Sequence, residues 1–159
     1  MGEKNNIDLG QDPAVMIGTR VLDAPRTRVF DMWSDPKHLA QWWGPIGFTT
    51  TTSAFDLRPG GVWRFVMHGP DGRDYQNRIE FEEVVRPERI VYRHRGEDAE
   101  PVQFRTTVTF EDLGGKTRLT LHARFPSPEA RDRVIREFGA DKGMVQTLAR
   151  LDEYLASLG

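Results

Sequence analysis

The sequence predicts an α+β fold in which one curved antiparallel sheet wraps around a long C-terminal helix. Six runs of alternating apolar and polar residues lie between residues 55 and 125, and the short turns between them are typical of an antiparallel meander. From Met144 to Leu158 apolar residues recur at steps of four and three, which indicates a helix with one apolar seam. A sheet that curves around this helix buries both apolar surfaces, and a strongly bent sheet often leaves a cavity.

Composition predicts one soluble globular domain over residues 14–159, preceded by a flexible polar tail over residues 1–13. The 22 basic and 24 acidic residues give a net charge of −2, which disfavours nucleic acid as a partner. Cysteine is absent, so disulfides and thiolate metal sites are excluded. The N-terminus lacks a secretory pattern, and no run of about 18 apolar residues exists. We therefore expect a cytoplasmic location and no membrane insertion.

The first elements are a strand and two short helices. Val15–Leu22 has β-branched content, which indicates a strand, and a Pro-containing turn stops it. Residues 26–33 place Val29, Phe30 and Trp33 at helical spacing. Asp35 and Pro36 then have the residue types of an N-cap and a first helical position, so a second helix is predicted to run to Gly44-Pro45.

The central strands are predicted to place one set of side chains inward. Their period of two separates these residues from charged neighbours, and turns such as Pro59-Gly60-Gly61 and Pro70-Asp71-Gly72 join the strands. The inward set is Trp63, Phe65, Met67, Tyr75, Asn77, Ile79, Phe81, Tyr92, His94, Phe104, Thr106 and Val108. A register shift of one residue would turn all of them outward, so this alternative stays open.

The C-terminal region is predicted to be helical in two pieces. Ser127 can cap a first helix over Pro128–Phe138, and Gly139 and Gly143 are predicted to interrupt the chain before the last helix. Leu148, Leu151 and Leu155 belong to the apolar seam of that last helix.

Three motifs occur along this element order. They are Trp42-Trp43-Gly44-Pro45, Asp56-Leu57-Arg58-Pro59-Gly60-Gly61 and Met67-His68-Gly69-Pro70-Asp71-Gly72. In combination they resemble the bacterial homologues of the activator of heat shock protein 90 ATPase. That AHSA-like family belongs to the START-like, SRPBCC or birch-pollen-allergen-like superfamily of helix-grip folds, and the resemblance covers residues 15–158.

The resemblance implies a helix-grip cavity able to hold an apolar small molecule. It does not imply chaperone activation, because the eukaryotic activator has an additional N-terminal domain to which nothing here corresponds. The superfamily includes lipid carriers, hormone receptors and polyketide cyclases, so the fold alone does not settle the function.

We expect the protein to bind an apolar or aromatic small molecule between the last helix and the sheet, without enzymatic activity. Trp42 and Trp43 would close one end of the cavity, while Asn77, Tyr92 and His94 would orient the ligand. The candidate binding residues are Trp42, Trp43, Trp63, Phe65, Met67, Asn77, Ile79, Phe81, Tyr92, His94, Phe104, Thr106 and Leu148. The alternative interpretation is a filled core, because most buried aromatic residues simply pack.

No motif predicts a catalytic, metal or cofactor site. The four histidines show no metal-ligand spacing, and no Gly-x-Ser-x-Gly nucleophile motif occurs. An enzyme of the polyketide cyclase or hydrolase type stays open, because His94 with Tyr92, or with Glu80 if the register shifts, has the residue types of acid–base catalysis. A protein-interaction module, including a chaperone-binding one, is disfavoured by the charged outer strand faces but also stays open. A homodimer through a sheet edge or the helices is a further possibility.

Overall fold

The computed structural model describes residues 5–96 and 104–158. Within these residues the chain forms eight strands and four helices. In chain order they are β1 (Asn5–Asp8), β2 (Val15–Leu22), α1 (Arg26–Asp31), α2 (Pro36–Trp42), β3 (Thr49–Phe55), β4 (Val62–His68), β5 (Asp74–Val85), β6 (Arg89–Gly96), β7 (Phe104–Asp112), β8 (Thr117–Arg124), α3 (Pro128–Phe138) and α4 (Ala140–Ser157).

All eight strands form one antiparallel sheet in the order β1-β2-β8-β7-β6-β5-β4-β3. Strands β3 to β8 are neighbours in sequence order, as a meander requires. The β2 strand pairs with β8, so an early strand lies beside the last strand of the meander. The predicted α+β helix-grip fold is therefore confirmed.

The core lies between the sheet and the helices. Helix α4 buries Leu148, Leu151 and Leu155 against it, at the spacing the sequence predicted. Trp42 of α2 is fully buried and its indole Nε1 donates to the carbonyl of Met32 at 3.2 Å. None of the helices within the described ranges is both long enough and apolar enough to cross a bilayer.

Local chemistry accounts for the start of α2. The Asp35 carboxylate accepts a hydrogen bond from the Lys37 amide at 2.9 Å, and Pro36 occupies the first turn. Helix α1 ends at Asp31, two residues earlier than the predicted end, but Trp33 is still buried. The apolar spacing indicated which side chains point inward without determining where the helical hydrogen bonds stop.

The prediction that two glycines interrupt the C-terminal helices is half wrong. Gly139 ends α3 with a φ of 61°, and its amide bonds back to the carbonyls of Val134 and Ile135. Gly143, however, lies inside α4. A Cβ there would lie 3.2 Å from Cγ of Pro45, so the missing side chain lets the α2–β3 loop approach the helix closely.

Part of the predicted flexible tail over residues 1–13 forms a strand, while residues 1–4 lie outside the described residues. Asn5–Asp8 pairs with β2, with Asn5 opposite Arg20 and Asp8 opposite Ile17. This pairing uses main-chain groups, which a polar sequence supplies as well as an apolar one. Alternation of apolar side chains could not reveal it.

Candidate functional site

A pocket of about 730 Å³ lies between the sheet, the α2–β3 loop and the junction of α3 with α4. Strands β4 to β8 form its floor. Its lining residues are Met16, Trp43, Gly44, Pro45, Ile46, Phe48, Met67, Tyr75, Gln76, Asn77, Tyr92, His94, Phe104, Thr106, Leu121, Phe125, Val134, Glu137, Phe138, Gly139, Ala140, Lys142, Gly143, Met144, Gln146 and Thr147.

The wall of the pocket is mostly apolar. Phe104 and Phe125 pack ring against ring at 4.9 Å between centroids, and Met16 and Met144 belong to the same cluster. Methionine side chains are flexible and adapt to irregular shapes. Ile46 and Phe138, which are 66% and 63% exposed, form an apolar rim where the pocket meets solvent.

His94 and Asn77 form a polar pair inside this apolar wall. His94 Nε2 lies 2.9 Å from Asn77 Oδ1 across strands β6 and β5. The amide of Asn77 also donates from Nδ2 to the carbonyl of Tyr75 at 3.0 Å. The second bond fixes which end of the amide faces the histidine.

Aromatic rings surround the imidazole of His94. Its centroid lies 4.9 Å from that of Phe104, 5.9 Å from Phe65 and 6.4 Å from both Trp43 and Tyr92. This burial lowers the pKa of His94 to about 4, because a desolvated imidazolium is unfavourable. His94 is therefore neutral at pH 7.

Tyr92 and Thr106 face each other across β6 and β7, where they are register partners. Thr106 is only 2% exposed, and its Oγ1 has no hydrogen-bond partner among the described residues. Burial raises the pKa of Tyr92, and the nearby Thr106 hydroxyl acts in the opposite direction. A buried hydroxyl without a hydrogen-bond partner lowers the stability of the folded protein, and such groups are uncommon in native structures.

Arg150 of α4 holds the α2–β3 loop over the pocket. Its Nη1 donates to the carbonyls of Gly44 at 2.9 Å and Pro45 at 3.0 Å, with longer bonds to those of Trp43 and Phe48. Gln146 Oε1 accepts from the amide of Ile46 at 3.1 Å. The loop is thus attached to α4 through its main chain, whatever side chains it carries.

The thirteen predicted binding residues separate into two groups. Seven line the pocket, namely Trp43, Met67, Asn77, Tyr92, His94, Phe104 and Thr106. Six pack in the core instead, namely Trp42, Trp63, Phe65, Ile79, Phe81 and Leu148. Trp63 and Phe65, for example, stack on each other at 4.0 Å. A role in ligand binding stays a prediction for all of them.

Sequence reasoning did not select the residues at the mouth. Glu137, Phe138 and Lys142 line the pocket from the α3–α4 junction. Ile46 and Phe48 of the α2–β3 loop were also missed. The Gly139–Gly143 spacing was the one available signal, because it marks where two helices and the loop meet.

A second polar cluster lies outside the pocket. Thr51 Oγ1 and Asp74 Oδ1 each lie 2.8 Å from a ring nitrogen of His68, on exposed strand surface. None of the three side chains lines the pocket. In the described residues, His, Asp and Glu form no group of three that could hold a metal ion.

Solved structures from several bacteria share this fold. An NMR structure of a protein from Arthrobacter aurescens has a TM-score of 0.88 and 26% identity, over 96% of this chain and 91% of that one. Ms6760 from Mycobacterium smegmatis has a TM-score of 0.87 and 29% identity, over 97% and 98%. CV1439 from Chromobacterium violaceum has a TM-score of 0.77 and 28% identity, over 89% and 96%.

Sequence comparison assigns the family. No curated protein matches the chain. The family described as "Activator of Hsp90 ATPase homolog 1-like protein" matches residues 23–156, which include α1 to β8 and almost all of α4. The resemblance carried by the tryptophan and glycine motifs is therefore confirmed, and the chain belongs to this family of Activator of Hsp90 ATPase homolog 1-like proteins.

Proposed function

We propose that the protein binds an apolar or aromatic small molecule in the pocket between α4 and the sheet, without converting it chemically. The observation that carries this proposal is the polar pair of His94 and Asn77 in the mostly apolar wall of a pocket of about 730 Å³. A ligand donor that bonds to Nδ1 of His94, which has no partner among the described residues, would add a directional hydrogen bond to the apolar contacts.

The size and composition of the pocket support binding of a small molecule. Ligand sites are concave, mostly apolar and supplied with a few polar groups that set orientation. A volume of about 730 Å³ lies within the range of such sites. The His94–Asn77 pair supplies polar groups here, and the surrounding rings and methionines offer the apolar contacts.

The electrostatics of the pocket favour binding over acid–base catalysis. A general acid or base works best when its pKa is near the working pH. The pKa of His94 is lowered to about 4 and that of Tyr92 is raised, both by burial, so neither group exchanges a proton readily at pH 7. This argues against the cyclase or hydrolase alternative.

The ion pairs on the outer face of the sheet favour a solvated surface over a chaperone-binding one. Glu82 accepts hydrogen bonds from Arg93 at 2.6 Å and from Arg105 at 2.7 Å. These ion pairs span three strands and lower the pKa of the Glu82 carboxyl against the opposing effect of burial. Charged residues are depleted in the cores of protein interfaces.

Native mass spectrometry and a thermal-shift screen against lipids, aromatic acids and polyketide-like compounds test the proposal. Thr147→Phe fills part of the pocket from α4, and its hydroxyl bonds only to the Gly143 carbonyl of the same helix. Ala156→Phe, on an exposed position of α4, is the matched control.

We expect a co-purified mass, or a saturable rise in Tm, for the wild type and Ala156→Phe but not for Thr147→Phe. Absence of both signals in the wild type would favour a filled core and contradict the proposal. Conversion of a bound compound to a new mass would favour the enzyme alternative instead.

A further inference from the structure

The orientation of the Asn77 amide determines the proton on His94. Because Asn77 Nδ2 donates to the Tyr75 carbonyl, the group that faces His94 is the carbonyl oxygen Oδ1. That oxygen accepts hydrogen bonds and cannot donate one. At 2.9 Å from it, His94 Nε2 must therefore carry the proton.

The other nitrogen of the ring is then a free acceptor. A neutral imidazole has one protonated nitrogen, so Nδ1 of His94 presents a lone pair. Nδ1 makes no hydrogen bond within the described residues, and His94 lines the pocket. Thr106 Oγ1, on the next strand, is also without a partner there. The pocket thus offers a hydrogen-bond acceptor, Nδ1 of His94, within its aromatic wall.

Charge is confined to the mouth of the pocket. Among the lining residues that the structure describes, the titratable side chains are Tyr75, Tyr92, His94, Glu137 and Lys142. Glu137 and Lys142 are exposed at the rim of the pocket. The Arg150 guanidinium does not line the pocket, since the loop carbonyls engage it. A carboxylate near His94 would therefore be desolvated without a cation to pair with.

We infer that the pocket selects an uncharged ligand with a hydroxyl or N–H donor on an aromatic or apolar body, and rejects the carboxylate analogue. The donor bonds to His94 Nδ1. This inference rests on the proposed function, because it specifies the chemistry of the molecule that occupies the same pocket.

Three pyrene derivatives with one body and different polar groups test the inference. 1-Hydroxypyrene has the donor, 1-methoxypyrene keeps the oxygen without the donor, and 1-pyrenecarboxylate is an anion at pH 7. Their fluorescence reports binding to the intact protein directly. We expect the hydroxyl compound to bind about tenfold more tightly than the methoxy compound, and the carboxylate to bind at least about tenfold more weakly than the hydroxyl compound.

His94→Phe isolates the acceptor. It removes Nδ1 and keeps an aromatic ring, so we expect the two neutral pyrenes to bind within about twofold of each other. His122→Phe is the matched control, because His122 belongs to β8 but does not line the pocket. It should keep the wild-type preference for the hydroxyl compound. Nitrogen NMR of the wild type gives an independent reading, in which Nε2 of His94 should be protonated at pH 7.

Several outcomes would overturn the inference. A carboxylate that binds as tightly as the hydroxyl compound would leave the proposed function standing and refute the stated selectivity. Equal affinity of the hydroxyl and methoxy compounds in the wild type, or a proton on Nδ1 instead of Nε2, would refute the donor requirement. Failure of all three compounds to bind would count against the proposed function itself, and the inference would fall with it.

Discussion

Thr106 and Thr117 are both buried on adjacent strands, yet only the hydroxyl of Thr117 has a partner. Thr117 Oγ1 donates to the carbonyl of Ala24 at 2.7 Å, whereas Thr106 Oγ1 has no partner among the described residues. Thr117 is 0% exposed and Thr106 is 2% exposed. A comparison of the two threonines therefore distinguishes the free-energy cost of burying a hydroxyl from the stability gained when that hydroxyl forms a hydrogen bond.

Replacement of each threonine by valine should change stability in different directions. Thr117→Val leaves the Ala24 carbonyl unpaired and should lower the free energy of unfolding by about 1–3 kcal/mol. Thr106→Val removes an unpaired hydroxyl and should leave stability unchanged or raise it by about 1 kcal/mol. Urea unfolding of the free proteins measures both values. An equal loss in both variants would mean that Thr106 has a partner.

His94 should make the protein less stable as the pH falls. Its pKa in the folded state is about 4, below the usual 6.5, so the unfolded state binds more protons between these values. Stability from a neutral His94 is complete above pH 6.5 and is lost as the pH falls towards 4. The slope is at most about 1.4 kcal/mol per pH unit.

The difference between wild type and His94→Phe isolates this effect from other titrating groups. As the pH falls from 7 to 5, we expect the free energy of unfolding of the wild type to decrease relative to that of His94→Phe. Parallel curves over that range would show that His94 keeps an ordinary pKa in the folded protein.

Arg150→Lys should loosen the α2–β3 loop. A lysine ammonium cannot replace a guanidinium that donates to the carbonyls of Gly44 and Pro45 and reaches Gln41 through its second nitrogen. We expect a stability loss of about 1–3 kcal/mol and faster hydrogen exchange at the amides of Ile46 and Phe48. Arg136→Lys, on exposed α3 surface, is the matched control. Unchanged exchange in the loop would contradict the role of Arg150.

Truncation of two strand phenylalanines should distinguish core from pocket. Phe65 is fully buried in the core, so Phe65→Ala should cost about 3–5 kcal/mol of stability. Phe104 is half-buried with one side on the pocket, so Phe104→Ala should cost less and weaken ligand binding more. Chemical unfolding and ligand titration of the two variants give the comparison. Equal losses of stability would place Phe104 in the core as well.

Alternation along the strands was enough to predict the sheet and the inward direction of Tyr92, His94 and Thr106. Side chains on a strand point to opposite faces in turn, so this part of the fold follows from the period alone. The pairing of Asn5–Asp8 was not predictable in the same way, because the hydrogen bonds of an edge strand place few demands on its side chains.

The boundary between pocket and core could not be predicted from the sequence. Phe65 and Phe104 both point inward from their strands, but Phe65 is covered by the rings of Trp43 and Trp63, whereas Phe104 lines the pocket. That difference depends on where helices lie across the sheet, which alternation does not encode. Glu137 and Phe138 were not predicted to line the pocket for the same reason, because their position at its rim depends on where α3 meets α4.

The two edges of the sheet differ from its interior in a way that bears on aggregation. An exposed edge invites the strands of other chains to add to it. Within the part of the chain that the structure describes, β1 at one edge spans Asn5–Asp8, and β3 at the other edge is interrupted by a bulge at Ser53, whose hydroxyl donates to the Arg64 carbonyl. Neither edge offers a long, regular template for strand addition. The pocket can therefore keep an apolar rim at Ile46 and Phe138 without the sheet itself recruiting further copies of the chain.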